Sequence, residues 1–352
     1  MGAVLLTGAT GFVGKEILDR FLDRGRRVFA LVRADDDDAA ARRLSPHARL
    51  TAVAGDIERP GLGLAPATAA KLAEEVATVV HCAASVSFDL SLEESRRVNV
   101  EGTRNVLDLA QRCERLERMS YISTAYVAGE PRGLFQEDEL DVGQRFRNPY
   151  ERSKFEAERM LRERADGVPL QVLRPSIVVG DSRTGRTSSF NVLYGPLKAL
   201  ARGPIPAIPG RRGSPVDVVP VDYVADRAVD LAEQGSDGTY HLVAGRNATT
   251  VGRLLDLAST RFGRRTPAVL PPAAYRRLLH PLLRRKYSGL RRMEVYFPYF
   301  SMRVRFDDRR LGPAPPVEGY FHRLIAFAEE ARWGGRRADN GGGKVEALQN
   351  RG

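Results

Sequence analysis

Short, continuous apolar runs punctuate the first half of the chain: Ala3–Thr7, Val28–Val32, Leu50–Ala54, Thr78–His81, Met119–Ile122 and Leu170–Leu173. Between most of them the apolar residues return at helical spacing, over Lys15–Asp23, Ala67–Glu75 and Leu92–Cys113. An apolar run of four to six residues without alternation reads as a strand buried on both faces, and strands separated by helices predict a parallel sheet covered on both sides. The expected fold class is therefore α/β, a doubly wound parallel sheet of order 3-2-1-4-5-6, with any ligand outside the carboxyl ends of the strands. After Arg174 the pattern changes. The stretch 175–213 is rich in Gly, Pro and Ser; VDVVPVDYVADRAVDLAEQ reads as a strand and a helix, GTYHLVAG at 238–245 as one more strand, and Thr250–Phe262 as one more helix.

The segment NPYERSKFEAERML, Asn148–Leu161, reads as a helix with Asn148 as cap and Pro149 in the first turn. At 100° per residue, Tyr150, Ser153, Lys154, Ala157 and Leu161 share one stripe, and Glu151, Arg152, Glu156 and Arg159 fall on the charged side. Tyr150 and Lys154 are neighbours at i and i+4, so an ammonium stands where it favours the phenolate. A lysine snorkelling to water along its stem is the structural alternative.

Four further signals lie at predicted strand ends. Gly8, Gly11 and Gly14 in TGATGFVG follow a buried strand and open a helix, where backbone N–H groups approach a pyrophosphate. Arg33 ends the second strand, where an arginine meets the 2′-phosphate of NADP and an acidic residue would meet the ribose of NAD. The acidic run Asp35–Asp38 beside it reads as a solvated loop. Asp56 in GDI and Ala83–Ala84 in HCAAS fall beside the crevice, and Thr124 is positioned to hydrogen-bond a substrate carbonyl. Each has a purely structural counterpart in a tight turn or a strand cap.

Charge and composition narrow the picture. The 352 residues carry 55 Lys and Arg against 44 Asp and Glu, a net charge of +11, with arginine clusters between 264 and 310. No nucleic-acid-binding signature accompanies them, so a GC-rich genome's preference for arginine, a solvated surface, or a landing site for an anionic substrate or carrier explains the charge. Cys82 and Cys113 form no CxxC pair, and no metal site is expected. With AVLLTGATGFVG directly after the first residues and no long apolar run, a cytoplasmic protein without leader or membrane span is expected. The stretch 275–292, leucines interleaved with arginines and interrupted by Pro281, is a candidate for contact with an anionic membrane surface or an acidic carrier protein, with a plain structural cap as the alternative. A homodimer is compatible with the sequence.

TGATGFVG, HCAAS, RRVNVEGTRNVL, YISTAY, YERSK and LRPSIVVGDSRTG, in that order, resemble the extended short-chain dehydrogenase/reductase superfamily. The thioester reductase and fatty acyl-CoA reductase branch, also called male-sterility-like NAD-binding proteins, is the most similar, over about residues 3–260. The resemblance implies a Rossmann domain over 1–175 binding NADPH and a smaller C-terminal substrate-binding cap over 176–333. The cap is expected to interweave with the last Rossmann elements at about 214–245, and the composition of 334–352, rich in Gly and polar residues, reads as a disordered tail. The resemblance also implies that Tyr150 donates a proton, Lys154 holds the ribose and favours the tyrosinate, and Thr124 orients the carbonyl. Around the cofactor it implies Thr7, Thr10, Phe12, Val13, Ile57, Ser85, Asn99, Pro175, Ser176 and Ile177. Around the substrate it implies Val86, Phe88, Ala125, Tyr126 and Phe190. The implied activity is reduction of an acyl thioester on CoA or a carrier protein, or of the corresponding aldehyde or ketone. A sugar-nucleotide epimerase or dehydratase, a sterol-type dehydrogenase, and a non-catalytic NADP-binding sensor are the alternatives. The resemblance sets an expectation of a short member of that branch, without its carrier, adenylation and long C-terminal domains, which leaves the natural substrate open.

Overall fold

In a computed structural model, which describes residues 2–190, 192–203, 205–279 and 294–335, seven parallel strands form the central sheet. In chain order they are β1 (Ala3–Thr7), β2 (Val28–Val32), β3 (Leu50–Ala54), β4 (Val76–His81), β5 (Arg118–Ile122), β6 (Leu170–Pro175) and β7 (Gly238–Leu242). Their spatial order is β3-β2-β1-β4-β5-β6-β7. The six-strand order expected from the sequence is thus present and extended by β7, which pairs Gly238–Leu242 against Gln171–Pro175. The strand before the helix Val221–Gln234 does not join the sheet; Val218–Pro220 pairs separately with Ile177–Val179.

Near-complete burial of β1, β2 and β4 follows from their unbroken Val, Leu and Ala runs. Helices Phe12–Asp23 and Val221–Gln234 cover one face through Ile17, Leu18, Phe21, Val224 and Ala228. Leu72, Val106, Leu107, Ala157 and Leu161 belong to the helices of the other face. One of these, expected as a single helix from Leu92, contains a wider turn at Arg97–Glu101, where each N–H reaches one residue further back. That bulge carries Asn99 into the crevice, a recurrent use of such turns. Beyond the sheet's carboxyl ends a separate apolar cluster builds the cap, joining Tyr126 and Phe155 to Leu197, Leu254, Tyr299 and Leu324.

Two expectations change with the fold. Glu151, assigned to the charged face of its helix, is fully buried, because the cap closes over the helix's first turn. The acidic run after β2 is a built turn: Asp36 caps the short helix Asp37–Ala41, and Asp37 accepts from the Ala54 N–H of β3 at 2.7 Å. Of the stretch 275–292, Tyr275 is buried against Ala207 and the ring of Phe297, and residues 280–292 lie outside the described residues. Among the described residues no helix is long and apolar enough to cross a membrane, and no group of His, Cys, Asp or Glu is arranged to hold a metal ion.

Candidate active site

The turn after β1 is shaped around its glycines. Gly8 has φ +77°, and a Cβ there would come within 2.6 Å of the Ala83 nitrogen; a Cβ on Gly14 would overlap the Gly8 carbonyl. Gly11 has slightly more room, 3.2 Å from that carbonyl. The helix Phe12–Asp23 begins at Gly11 with no side-chain cap and no acidic residue in its first turn. Its first N–H groups and positive dipole end therefore face the turn unneutralised, the arrangement that receives a phosphate. These residues fit a dinucleotide.

Beneath the turn runs a chain of buried polar groups. Thr7 Oγ1 lies 2.7 Å from His81 Nδ1, His81 Nε2 lies 3.0 Å from Thr103 Oγ1, and Thr103 donates to the Asn99 carbonyl at 2.6 Å. Because Thr103 spends its proton on Asn99, it accepts from His81 Nε2–H; His81 Nδ1 then accepts from Thr7, which accepts from the Ala83 N–H at 3.2 Å. Every proton in this chain has one direction. Burial pushes the His81 imidazole down to about 3, with the nearby Lys154 acting the same way, so it stays neutral. The Asn99 amide clamps Ser85 by both its N–H and C=O, at 2.9 and 3.0 Å, and donates to Ser153 Oγ at 2.9 Å. Ser153 was not singled out in the sequence; its place between Tyr150 and Lys154 on the same stripe was the available signal.

Thr124 does not end a strand as expected: β5 stops at Ile122, and Thr124 caps the short turn Ala125–Ala128 by accepting from the Tyr126 N–H at 3.2 Å. Its hydroxyl also reaches the Pro175 carbonyl, 3.4 Å away, and stands near enough to the Tyr150 hydroxyl to act on its ionisation. Tyr150 and Lys154 both lie on the helix Pro149–Arg164, whose start Asn148 caps by accepting from Glu151 N–H at 2.9 Å. Lys154 is buried, donates to the Ile122 carbonyl at 2.8 Å and sits 4.2 Å from the centre of the Tyr121 ring.

The sequence reading has the ammonium drawing Tyr150 toward phenolate. In the structure burial dominates both groups instead. It pushes the Tyr150 hydroxyl up to about 12, a rise that Glu151 reinforces and the Thr124 hydroxyl moderates. It pulls Lys154 down to about 7 against the favourable fields of Cys82 and Glu158. Near neutral pH Tyr150 is a protonated phenol, the state a proton donor needs.

Above Tyr150 the cap supplies aromatic rings. Phe88 lies 5.9 Å from both Tyr150 and Tyr299. Tyr299 donates to the buried Glu151 at 2.7 Å, accepts from Asn148 Nδ2 at 2.8 Å and meets Tyr126 edge-on. Glu151, Arg147 and Tyr299 thus fasten residues near the end of the chain to the first turn of the tyrosine's helix. Next to these rings opens an apolar cavity of about 70 Å³, lined by Tyr126, Ile177, Leu197, Leu200, Leu254 and Tyr299 among others. Phe190, expected in a substrate pocket, is not in this wall. It packs against Tyr194 and Phe327, covering the apolar face of the helix Phe321–Glu330. Val86 is exposed.

Arg33 stands just beyond β2, 57% exposed, 3.6 Å from Glu58, which also pairs with Arg97 at 2.7 Å. Arg43, absent from the sequence reading, reaches back to the Arg33 carbonyl at 2.6 Å. Asp56 and Ile57 follow β3: Asp56 accepts from the Glu58 N–H at 3.0 Å, and Ile57 packs where Gly102 leaves room. Ser176 is buried near Asp217, whose carboxyl burial pushes up to about 6. Arg174 is not part of the crevice surface. It is buried against Glu158, with a closest contact of 2.6 Å, and joins the tyrosine's helix to β6.

With this geometry in place, the male sterility protein family profile matches residues 6–228. The chain belongs to that family. This male sterility family protein is 32% identical over 283 residues to a carboxylic acid reductase of Segniliparus rugosus, covering 68% of this chain and 23% of that protein. It is 33% identical over 277 residues to an isonitrile lipopeptide synthase of Streptomyces coeruleorubidus, covering 72% and 18%. The chain therefore spans less than a quarter of either relative. Among solved structures, the terminal R domain of the myxalamid PKS-NRPS pathway superposes with a TM-score of 0.81 at 29% identity, over 95% of this chain and 92% of that one. MoeE5 in complex with UDP-glucose and NAD superposes at 0.67 with 20% identity, over 94% and 100%, a likeness of fold alone. The molecule has the Rossmann fold of the extended short-chain dehydrogenases/reductases, and it is built to take a nicotinamide cofactor.

Proposed function

We propose that this protein reduces an acyl thioester, or the aldehyde derived from it, with NADPH. The observation that carries the reading is Thr124 and Tyr150 side by side next to an apolar cavity, one helical turn from a buried Lys154. The reductases among the relatives support it. Gly8, Gly11, Gly14 and the amino end of the following helix would hold the pyrophosphate, and Arg33 with Arg43 nearby would meet the 2′-phosphate. The cofactor supplies the hydride. Thr124 and Tyr150 converge on the carbonyl oxygen; Tyr150 gives it a proton as charge develops, and Thr124 holds it in register. From a thioester the product hemithioacetal then releases its thiol and leaves an aldehyde. Lys154, close to half-protonated near neutral pH, holds the cofactor's ribose and returns a proton toward Tyr150. Residues 1–175 form the cofactor half in this reading, and 176–333 the cap, with 214–245 shared between them.

The cap's apolar wall points to an acyl chain as the recognised group. Each methylene buried there adds ~0.8 kcal/mol, or roughly fourfold in binding, until the cavity is full. With NADPH and acyl-CoA thioesters of increasing length, kcat/KM should climb over the first several carbons and NADPH should be consumed in proportion to thiol released. A flat response, or turnover of UDP-sugars with NAD retained, would move the assignment to a sugar-nucleotide enzyme.

A further inference from the structure

The strands Arg132–Phe135 and Arg303–Phe306 pair in parallel, and their register sets Arg132 directly opposite Arg303. Like charges facing one another across a strand pair oppose folding. The inner residues Phe135, Val304 and Phe306 are buried, whereas Arg132, Leu134, Arg303 and Arg305 are exposed. Arg211 adds a third charge: its field and that of Arg132 both hold the Arg303 guanidinium below its usual range. Among the described residues none of Arg132, Arg211, Arg303 and Arg305 has an ion-pair partner. Their neighbours do. Arg212 pairs with Asp256, Arg309 with Asp307 and Arg310 with Glu137, so pairing is the local habit and this face departs from it. In its middle stands Leu134, 56% exposed and opposite Arg305.

The face is close to the site. Phe306, on its inner side, meets the Tyr126 ring at 5.6 Å, and Tyr299, Phe300 and Met302, just before Arg303, line the apolar cavity. We infer that this face docks an acidic carrier protein that presents the acyl thioester, carboxylates meeting the arginines and an apolar side chain covering Leu134. The inference rests on the thioester reading above. Charge complementarity selects the occupant. Of the chain's own remaining segments, 280–293 has no acidic residue, and 336–352 has only Asp339 and Glu346 among four basic ones. A single exposed leucine offers a membrane little to bury.

The test uses a bacterial acyl carrier protein loaded with octanoyl-phosphopantetheine, beside octanoyl-CoA and octanal. The double variant Arg132→Glu/Arg303→Glu should lower kcat/KM for the carrier-bound thioester by ~10-fold or more at low salt, leaving octanal and octanoyl-CoA within about twofold. Arg132→Gln/Arg303→Gln should lose less and, freed of opposed charges, melt no lower than wild type. An unchanged carrier rate overturns the inference. So does an equal loss with octanoyl-CoA, which would make the face a nucleotide-phosphate site, or loss of sedimentation with phosphatidylglycerol vesicles while carrier binding persists. Should the wild type reduce no thioester, the functional reading fails. Fluorescence anisotropy of labelled octanoyl carrier protein still decides the docking: binding abolished by charge reversal supports it, and no binding to wild type overturns it.

Discussion

The two walls of the crevice are built by opposite means. On the cofactor side, Thr7, His81, Thr103, Asn99, Ser85 and Ser153 form a buried polar chain in which the proton directions are set by neighbours. On the substrate side, Tyr126, Ile177, Leu197, Leu200, Leu254 and Tyr299 converge from separate segments and contribute mostly methyl, methylene and ring surface. Removing one group from the first wall strands a buried partner at a cost of ~1–3 kcal/mol. Removing a methylene from the second changes the fit by a graded amount, and volume-conserving exchanges are tolerated. One wall therefore holds a single geometry and the other can adjust its occupant. In the proposed function the chemistry belongs to the rigid wall and the choice of substrate to the adaptable one.

The largest effect should come from the group that stands between the walls. Tyr150→Phe removes only the hydroxyl beside Thr124, so the fold and cofactor binding should survive while kcat falls by ~10² or more. Steady-state rates with NADPH titration measure both, and turnover within a few-fold of wild type would detach Tyr150 from the chemistry. Arg33→Ala probes the cofactor wall at its rim. Losing a charge-assisted phosphate contact worth ~1.5–3 kcal/mol should weaken NADPH by roughly 10- to 150-fold and leave NADH nearly unchanged. Equal affinities of the wild-type protein for the two cofactors would exclude that contact.

The last effect concerns stability and sharpens the contrast most. Lys154 drops from 10.5 to about 7 on burial, so between those values the unfolded chain holds a proton that the folded chain lacks. This group's contribution to stability therefore rises with pH across that window and is least favourable below about pH 7. Lys154→Met removes the dependence. The variant should gain stability over wild type most clearly near pH 6 and converge with it toward about pH 10, while its turnover collapses. Urea unfolding at both ends of the range measures this, and a variant less stable at every pH would show that Lys154 is there for structure.

Tyr150, Ser153, Lys154, Ala157 and Leu161 were legible as one stripe because a helix repeats every 3.6 residues whatever surrounds it. The glycine turn was legible for a similar reason: Gly8 must take φ +77° and Gly14 must pass a carbonyl, and both demands are local. Glu151 was misplaced because helical periodicity describes one helix, whereas its burial depends on Tyr299, 148 residues away. Phe190 was misplaced likewise, since either of two apolar surfaces could have claimed its ring. Arg43 and Ser153 gave no motif of their own; each matters through what another residue places beside it.

The sequence by itself determined the sheet's order, the glycine turn after β1 and the residue types on the stripe of Tyr150 and Lys154. Strand burial, positive φ and helical spacing are short-range properties written within a few residues. Tertiary structure alone decided the burial that raises Tyr150 and lowers Lys154, the gathering of the apolar cavity's wall and the facing of Arg132 with Arg303. Desolvation, cavity shape and unpaired charge are sums over many neighbours brought together from distant parts of the chain, so no window of sequence contains them.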